Sequence, residues 1–356
     1  MRLLLVLVLF GSLVVAQAPR LTSPEEVART EVIRRALPAV VKVQGLLKDP
    51  TSGNESLAYG SGFFYSTNRI VTAYHVVDGL RGLSIILSDG RAYPAQIFAL
   101  DKGIDLAILQ VQGLVAPAML TWGSSQNLPP GMSLLVLGFP MGGRSLVLAG
   151  ILSGVGPLEV AEDETRNPEI GAEIGEVLYT DARIDVGGSG GPVLDLQGRV
   201  VGMVNSVLGG PSGIGGIGVV LPANLVKQSV QDLERFGAPQ RGWLGVSMID
   251  LKELDPVLLN RLGLLSDQGA MVDKVEFASP ARQVGLRAAQ RDQRGKLKAV
   301  GDVILAVNGK AVKNKNDVVQ AVARYRPGDK VRLTVWRDGR KLEFTLTMIA
   351  KPPLSQ

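Results

Sequence analysis

The chain contains no cysteine and only one histidine, His75. Without cysteine there can be no disulfides, no thiolate catalysis and no Cys-ligated zinc. A single imidazole also excludes a multi-histidine metal site. A carboxylate-only Mg²⁺ or Ca²⁺ site stays open in principle, but no EF-hand loop or comparable pattern is present, so neither a metal nor a cofactor is expected. Aromatic residues are scarce at 5%. Charge is thin as well: 20% of residues are charged and the net charge is only +5. The densest basic stretch, Arg287 to Lys298, also holds Asp292, Gln290 and Gln293. It reads as a solvated loop, not a nucleic-acid patch, and no nucleic-acid partner is expected.

Long hydrophobic runs are missing except at the N-terminus. There Arg2 precedes apolar residues from Leu3 to Phe10 and again from Leu13 to Val15, followed by Ala16-Gln17-Ala18. A basic residue, an apolar stretch and a small-x-small site form the layout of a secretory signal peptide over residues 1–18. Pro19 is a poor residue directly after a cut, so cleavage after Ala16 stands beside cleavage after Ala18. An uncleaved anchor is the alternative, although Leu3 to Val15 falls short of the roughly 20 residues that span hydrocarbon. Export to the periplasm or cell envelope of a bacterium is the expectation. Contact with the membrane would come only through an uncleaved N-terminus.

Glycine, by contrast, is plentiful, at 43 of 356 residues. With many Val, Ile and Leu it favours turn-rich β structure, and the length suggests two domains. Residues 19–38 form a polar N-terminal segment in which Thr22-Ser23-Pro24-Glu25-Glu26 is a helix start. From residue 39 short apolar runs alternate with turn signals, in one set of about six up to Val111 and a second from Ser133 to Leu221. Two successive sets of six short strands suggest two antiparallel barrels. A helix follows to about Phe236. Gly237-Ala238-Pro239-Gln240 reads as a linker, and residues 241–350 as a small α/β domain with strands from Leu244, Ala270, Asp302, Lys330 and Leu342.

The segment Asp185-Val186-Gly187-Gly188-Ser189-Gly190-Gly191-Pro192 sets one serine among four glycines before a strand. Such a turn exposes a hydroxyl, and the N–H groups of Gly187 and Ser189 could point together at a developing oxyanion. A plain glycine-rich turn is the alternative. A serine nucleophile needs a base, and His75, at the end of the apolar run Ile70 to Ala73, is the one imidazole available. The base needs a carboxylate to orient it. Asp105, directly before the apolar run Leu106 to Leu109, would be partly buried and in need of a partner; Asp101 is its rival.

Each piece is weak alone, but their order is not. Thr72-Ala73-Tyr74-His75-Val76-Val77, Asp105-Leu106-Ala107-Ile108-Leu109 and Gly187-Gly188-Ser189-Gly190-Gly191-Pro192 resemble the three active-site motifs of the HtrA/DegP family of trypsin-like serine proteases. The chain departs from the family where Ala73 and Tyr74 stand in place of Asn before the histidine, and in Asp185-Val186-Gly187-Gly188 before the serine. The resemblance implies a mainly β fold: a trypsin-like double β-barrel protease domain over 39–236, followed by a small α/β PDZ domain over 241–350. It implies His75 as general base, Asp105 as its orienting carboxylate and Ser189 as nucleophile. Gly187, Gly188 and Ser189 would form the oxyanion hole. Ile184, Asn205, Ser206 and Val207 would line the substrate pocket, together with the loop from Val207 to Ile217. Arg183 sits near the pocket base and is expected to point away from it, because an unpaired buried arginine is costly.

Arg241-Gly242-Trp243-Leu244-Gly245-Val246 resembles the carboxylate-binding loop of the family's PDZ domain, with Trp243, Leu244, Gly245 and Val246 as peptide-binding residues. The implied function is an ATP-independent serine endopeptidase of the cell envelope. It would cleave unfolded or damaged proteins through an acyl-enzyme, in stress response and protein quality control, with C-terminal peptides held at the PDZ domain. A homotrimer or larger assembly is implied. The alternatives are a purely degradative secreted protease and a proteolytically silent chaperone or PDZ scaffold.

Overall fold

The computed structural model describes residues 23–49, 52–158, 174–208, 216–254, 268–292 and 297–351. The expected signal peptide and most of the loop between Val207 and Ile217 lie outside the described residues. Helix α1 (Pro24–Ala36) starts as its sequence predicts. Ser23 Oγ accepts the Glu26 N–H at 3.0 Å and the Glu26 carboxylate accepts the Ser23 N–H at 3.3 Å, a capping box with Pro24 in the first turn. Val32 and Ala36 carry its buried face into the core.

The first barrel consists of β1 (Val40–Lys48), β2 (Glu55–Phe64), β3 (Arg69–Ala73), β4 (Leu80–Ile86), β5 (Ala92–Asp101) and β6 (Leu106–Val111). It closes in the order β1-β2-β3-β6-β5-β4, with the short helix α2 (Tyr74–Val77) between β3 and β4. Strand β7 (Thr121–Trp122) leads into the second barrel: β8 (Ser133–Gly138), β9 (Leu146–Pro157), β10 (Glu176–Thr180), β11 (Pro192–Leu194), β12 (Arg199–Leu208) and β13 (Ile217–Pro222). These run β11-β8-β9-β10-β13-β12, and pairing of β11 with β12 closes the ring. β7 adds to β12 in parallel.

Strand β6 shows why both faces of a strand can be apolar. Leu106 and Ile108 face the core between the barrels, beside Leu135 and Leu137. Ala107, Leu109 and Val111 face the interior of the first barrel, beside Val43 and Ile85. Alternation of side chains across the strand sends successive residues to the two cores, so the sequence reads as one continuous apolar run. Helix α3 (Ala223–Phe236) buries Val226, Val230 and Leu233 on one face and ends at Gly237 with φ +70°.

Beyond it, β14 (Gly242–Trp243) pairs with β23 (Ile349–Ala350). The main sheet runs β15 (Val246–Asp250), β16 (Ala270–Val275), β19 (Val303–Val307), β21 (Lys330–Arg337), β22 (Arg340–Thr347), with β20 (Lys310–Ala311) on β19. Helices α4 (Pro280–Gln283) and α5 (Lys315–Ala323) complete a second core around Val272, Ile304, Val318, Val331 and Leu333. The architecture is therefore a mainly β double barrel followed by a PDZ-like α/β unit. Two details differ from the sequence reading. The strand expected from Leu244 begins at Val246, because Gly245 takes φ +76° and breaks the ladder. The basic stretch read as a loop forms a ribbon, β17 (Gln290–Arg291) against β18 (Leu297–Ala299).

Candidate active site

His75, Asp105 and Ser189 converge at the junction of the barrels. β3 ends at Ala73 and the chain turns into α2, which carries His75 at its start. Asp105 follows a one-turn helix at Lys102–Ile104 and sits in the left-handed region with φ 56°, which Asp tolerates better than most residues. Its backbone carbonyl accepts the Tyr74 N–H at 3.1 Å, locking the two segments together. Its side chain is fully buried. One carboxylate oxygen accepts the His75 backbone N–H at 2.9 Å. The other lies 2.7 Å from His75 Nδ1 and accepts the Asn205 amide at 2.6 Å. An acceptor on Nδ1 leaves Nε2 as the basic nitrogen facing the cleft. Asp101, the rival carboxylate, is turned elsewhere: Arg241 clasps it with both guanidinium nitrogens, one at 2.7 Å, and Ser229 donates to it.

The turn before Ser189 can be audited peptide by peptide, since buried backbone groups are almost always paired. Val186 C=O accepts from Met141 N–H at 2.6 Å, and Gly187 C=O from Ser61 Oγ at 2.6 Å. Gly188 C=O accepts from Gly191 N–H at 3.0 Å, and Ser189 C=O from Ser61 N–H at 2.8 Å. The Gly188 N–H donates to Asp185 C=O at 2.9 Å and the Gly190 N–H to Val204 C=O at 2.8 Å. Among the described residues, the N–H groups of Gly187 and Ser189 have no acceptor. In a trans peptide N–H and C=O point to opposite sides, so pinning the carbonyls of Val186 and Gly188 directs both free N–H groups outward. Gly188, grouped with these two on sequence grounds, is set apart because its donor already serves the turn. Gly190 has φ +84°, and a Cβ there would strike the Ser61 carbonyl oxygen, so the turn admits only glycine.

Ser189 Oγ donates to the Asn205 carbonyl at 3.2 Å. No hydrogen bond joins it to His75 among the described contacts. Hydroxyl contacts of this kind commonly tighten only once substrate is bound.

The expected pocket residues divide. Ile184 is buried in the core of the second barrel, beneath Gly188 and against Gly218, where a Cβ would collide with it. Ser206 is half-buried and Val207 exposed on the outer part of β12. Asn205 is fully buried: its side-chain amide donates to Asp105 and its backbone carbonyl accepts from Ser189 Oγ, so its side chain serves the His75–Asp105 pair. Asn205 lies at an irregularity in β12, between Val204, which pairs with Val220, and Ser206, which pairs with Val219. Arg183 is exposed, as its charge requires.

In the second unit, Leu244 packs into the core and Trp243 pairs with Ile349. Gly245 presses against Ser279, and Val246 opens β15, the edge strand of its sheet. Helix α5 lies beside that edge, contributing Val318 and Val322 to the core that Val246 and Met248 flank.

Two positions gain roles that sequence reading did not assign. Ser61 lies within Gly60-Ser61-Gly62, a serine between glycines in a strand, and that pattern was its only local signal. Arg241 had none, since its partner lies 140 residues away.

Comparison with known proteins bears on the two folded units. Residues 60–203 match the trypsin-like peptidase domain and residues 242–348 the PDZ domain. A probable periplasmic serine endoprotease DegP-like protein of Brucella suis is 32% identical over 319 residues, covering 87% of this chain and 56% of the relative. One of the same description from Chlamydia trachomatis is 33% identical over 294 residues, covering 82% and 54%. The structure of the HtrA-type protease AlgW with a decapeptide superposes with a TM-score of 0.67 at 28% identity, covering 91% of this chain and 99% of that one. The chain thus carries a trypsin-like peptidase domain followed by a PDZ domain, and it is similar to DegP-like and HtrA-type proteases. The chain spans 56% of the length of the Brucella relative.

Proposed function

We propose that this HtrA/DegP-like chain is an ATP-independent serine endopeptidase of the bacterial periplasm, with His75, Asp105 and Ser189 as its catalytic residues. The observation that carries the reading is the convergence of a carboxylate-held imidazole, one serine hydroxyl and two unpaired N–H groups. His75 Nε2 takes the proton from Ser189 Oγ as that oxygen attacks the peptide carbonyl. The resulting oxyanion is met by the Gly187 and Ser189 N–H groups, and Asp105 stabilises the imidazolium and holds its tautomer. The imidazolium then protonates the leaving amine, and water releases the acyl group by the reverse path.

Substrate is bound as an added strand along β12, with Ser206 and Val207 at the pocket mouth and Ile184 forming a closed floor. That floor favours medium aliphatic side chains. A protease domain over 39–236 and a PDZ domain over 241–350 divide the work. Trp243 to Val246, the free edge of β15 and helix α5 receive the C-terminus of a protein chain. Unfolded or damaged proteins, which expose apolar segments that folded ones hide, are the substrates. The working form is a homotrimer or larger assembly.

Casein digestion and fluorophosphonate labelling test the catalytic assignment. The wild-type chain should cleave casein and carry the label on Ser189, and Ser189→Ala should do neither. Cleavage by Ser189→Ala at the wild-type rate would refute it. A C-terminal peptide library tests the PDZ assignment, which fails if nothing binds above background.

A further inference from the structure

We infer that Ser61 is a positioning residue for the oxyanion hole, an inference that rests on the catalytic reading above. Ser61 is fully buried on β2, a strand of the first barrel, yet every contact of its hydroxyl lies in the second. Its Oγ accepts the Phe139 N–H at 2.8 Å and donates to the Gly187 carbonyl at 2.6 Å. Its N–H donates to the Ser189 carbonyl at 2.8 Å. Its own carbonyl accepts from Thr72 Oγ1 at 2.7 Å, which fixes the residue from behind.

Three consequences follow from this placement. Gly187 has φ +93° and no Cβ, so little in its own chemistry restrains the peptide that follows it. The Ser61 hydroxyl supplies that restraint. Phe139 begins the short segment that reaches Met141, and the Met141 N–H holds the Val186 carbonyl that aims the Gly187 N–H. By accepting from Phe139 while donating to Gly187, Ser61 Oγ ties the holder and the held into one unit. Met141 itself is strained, with φ 53° for a non-glycine residue, and the residue is 73% exposed. A strained, solvent-facing residue stays in place only if its surroundings hold it, and the bond from Phe139 to Ser61 is the buried part of that hold. Removing the hydroxyl orphans one buried N–H and one buried C=O in the same turn, and the turn must shift to recover them.

Among the described residues Ser61 bonds to neither His75 nor Asp105, so its loss should act through transition-state stabilisation at the oxyanion hole. The test compares the full-length wild-type chain with Ser61→Ala on one fluorogenic peptide and one peptide boronic acid of the same sequence. The boronate forms a tetrahedral adduct on a serine hydroxyl and presents an oxygen to the hole. The expected result is a fall in kcat of order 10- to 100-fold, below the roughly 10²–10³-fold for outright loss of a donor. KM should stay within about twofold, and the boronate inhibition constant should rise by the same factor as kcat falls. Three results would overturn the inference: kcat within about twofold of wild type, a rise in KM alone, or a Ser61→Ala chain that does not fold, which would make Ser61 structural. If the wild-type chain neither cleaves peptide nor takes the fluorophosphonate label, it is the catalytic reading that fails.

Discussion

Asn205 donates its side-chain amide to the Asp105 carboxylate at 2.6 Å, from a position exactly one hundred residues further along the chain. Asp105 is fully buried and accepts from the His75 backbone and ring on its other side. These three donors satisfy the buried carboxylate and hold it in place. Replacing Asn205 with Ala removes one charge-assisted bond, worth about 1.5–3 kcal/mol. The expected outcome is a fall in kcat/KM of roughly tenfold or more, with a lowered Tm, read by peptide hydrolysis and thermal unfolding. Unchanged values for both would show the contact to be idle.

Asp101 and Asp105 make separable predictions. Asp105→Asn should lower kcat by about 10⁴-fold, because an amide there favours the wrong imidazole tautomer. Asp101→Asn should leave kcat near the wild-type value, since Asp101 faces Arg241 and Ser229. Steady-state kinetics on one peptide substrate decides between the two carboxylates.

Arg241 joins the second unit to the first through this same contact. Asp101 is 1% exposed and Arg241 only 12%. Arg241→Met leaves a buried carboxylate without its cation, at a cost of about 3–5 kcal/mol. Asp101→Leu combined with Arg241→Met should recover most of that loss, because apolar replacement of both partners is often neutral. Denaturant unfolding of the two single variants and the double variant provides the check.

Two of the six tyrosines should resist ionisation. Burial pushes the Tyr74 phenol above its usual value of 10, reinforced by its 2.6 Å bond to Asp78. Burial raises Tyr65 further, aided by a 2.5 Å bond to Glu234. In both, the fold favours the protonated form. The associated stability is complete below about pH 10 and is lost as pH rises through the higher folded values. Alkaline titration followed by phenolate absorbance should show these two ionising last, or only on unfolding. Tyr65→Phe should remove one of the late ionisations.

Much of the architecture was legible in local pattern. The set of apolar runs that ends at Val111 and the one that begins at Ser133 match the end of β6 and the start of β8. Ser23, Pro24 and Glu26 announced the start of α1 by capping chemistry that acts over three residues. His75 stood out because no other imidazole exists. Such features depend on short-range sterics and hydrogen bonding, which neighbouring residue types determine.

Tertiary structure alone decided the partnerships. Asp101 and Asp105 flank the same turn, and nothing local says which one faces an imidazole and which an arginine. Asn205 read as a wall of the pocket, whereas the structure turns its side-chain amide to the buried Asp105 carboxylate at an irregularity in β12. Gly188 looked equivalent to Gly187 until its N–H was found on Asp185, and Ser61 looked like any strand residue. The Asn205–Asp105, Arg241–Asp101 and Ser61–Gly187 contacts join segments 100 or more residues apart, and all of these assignments depend on which buried donors reach which buried acceptors once water is gone.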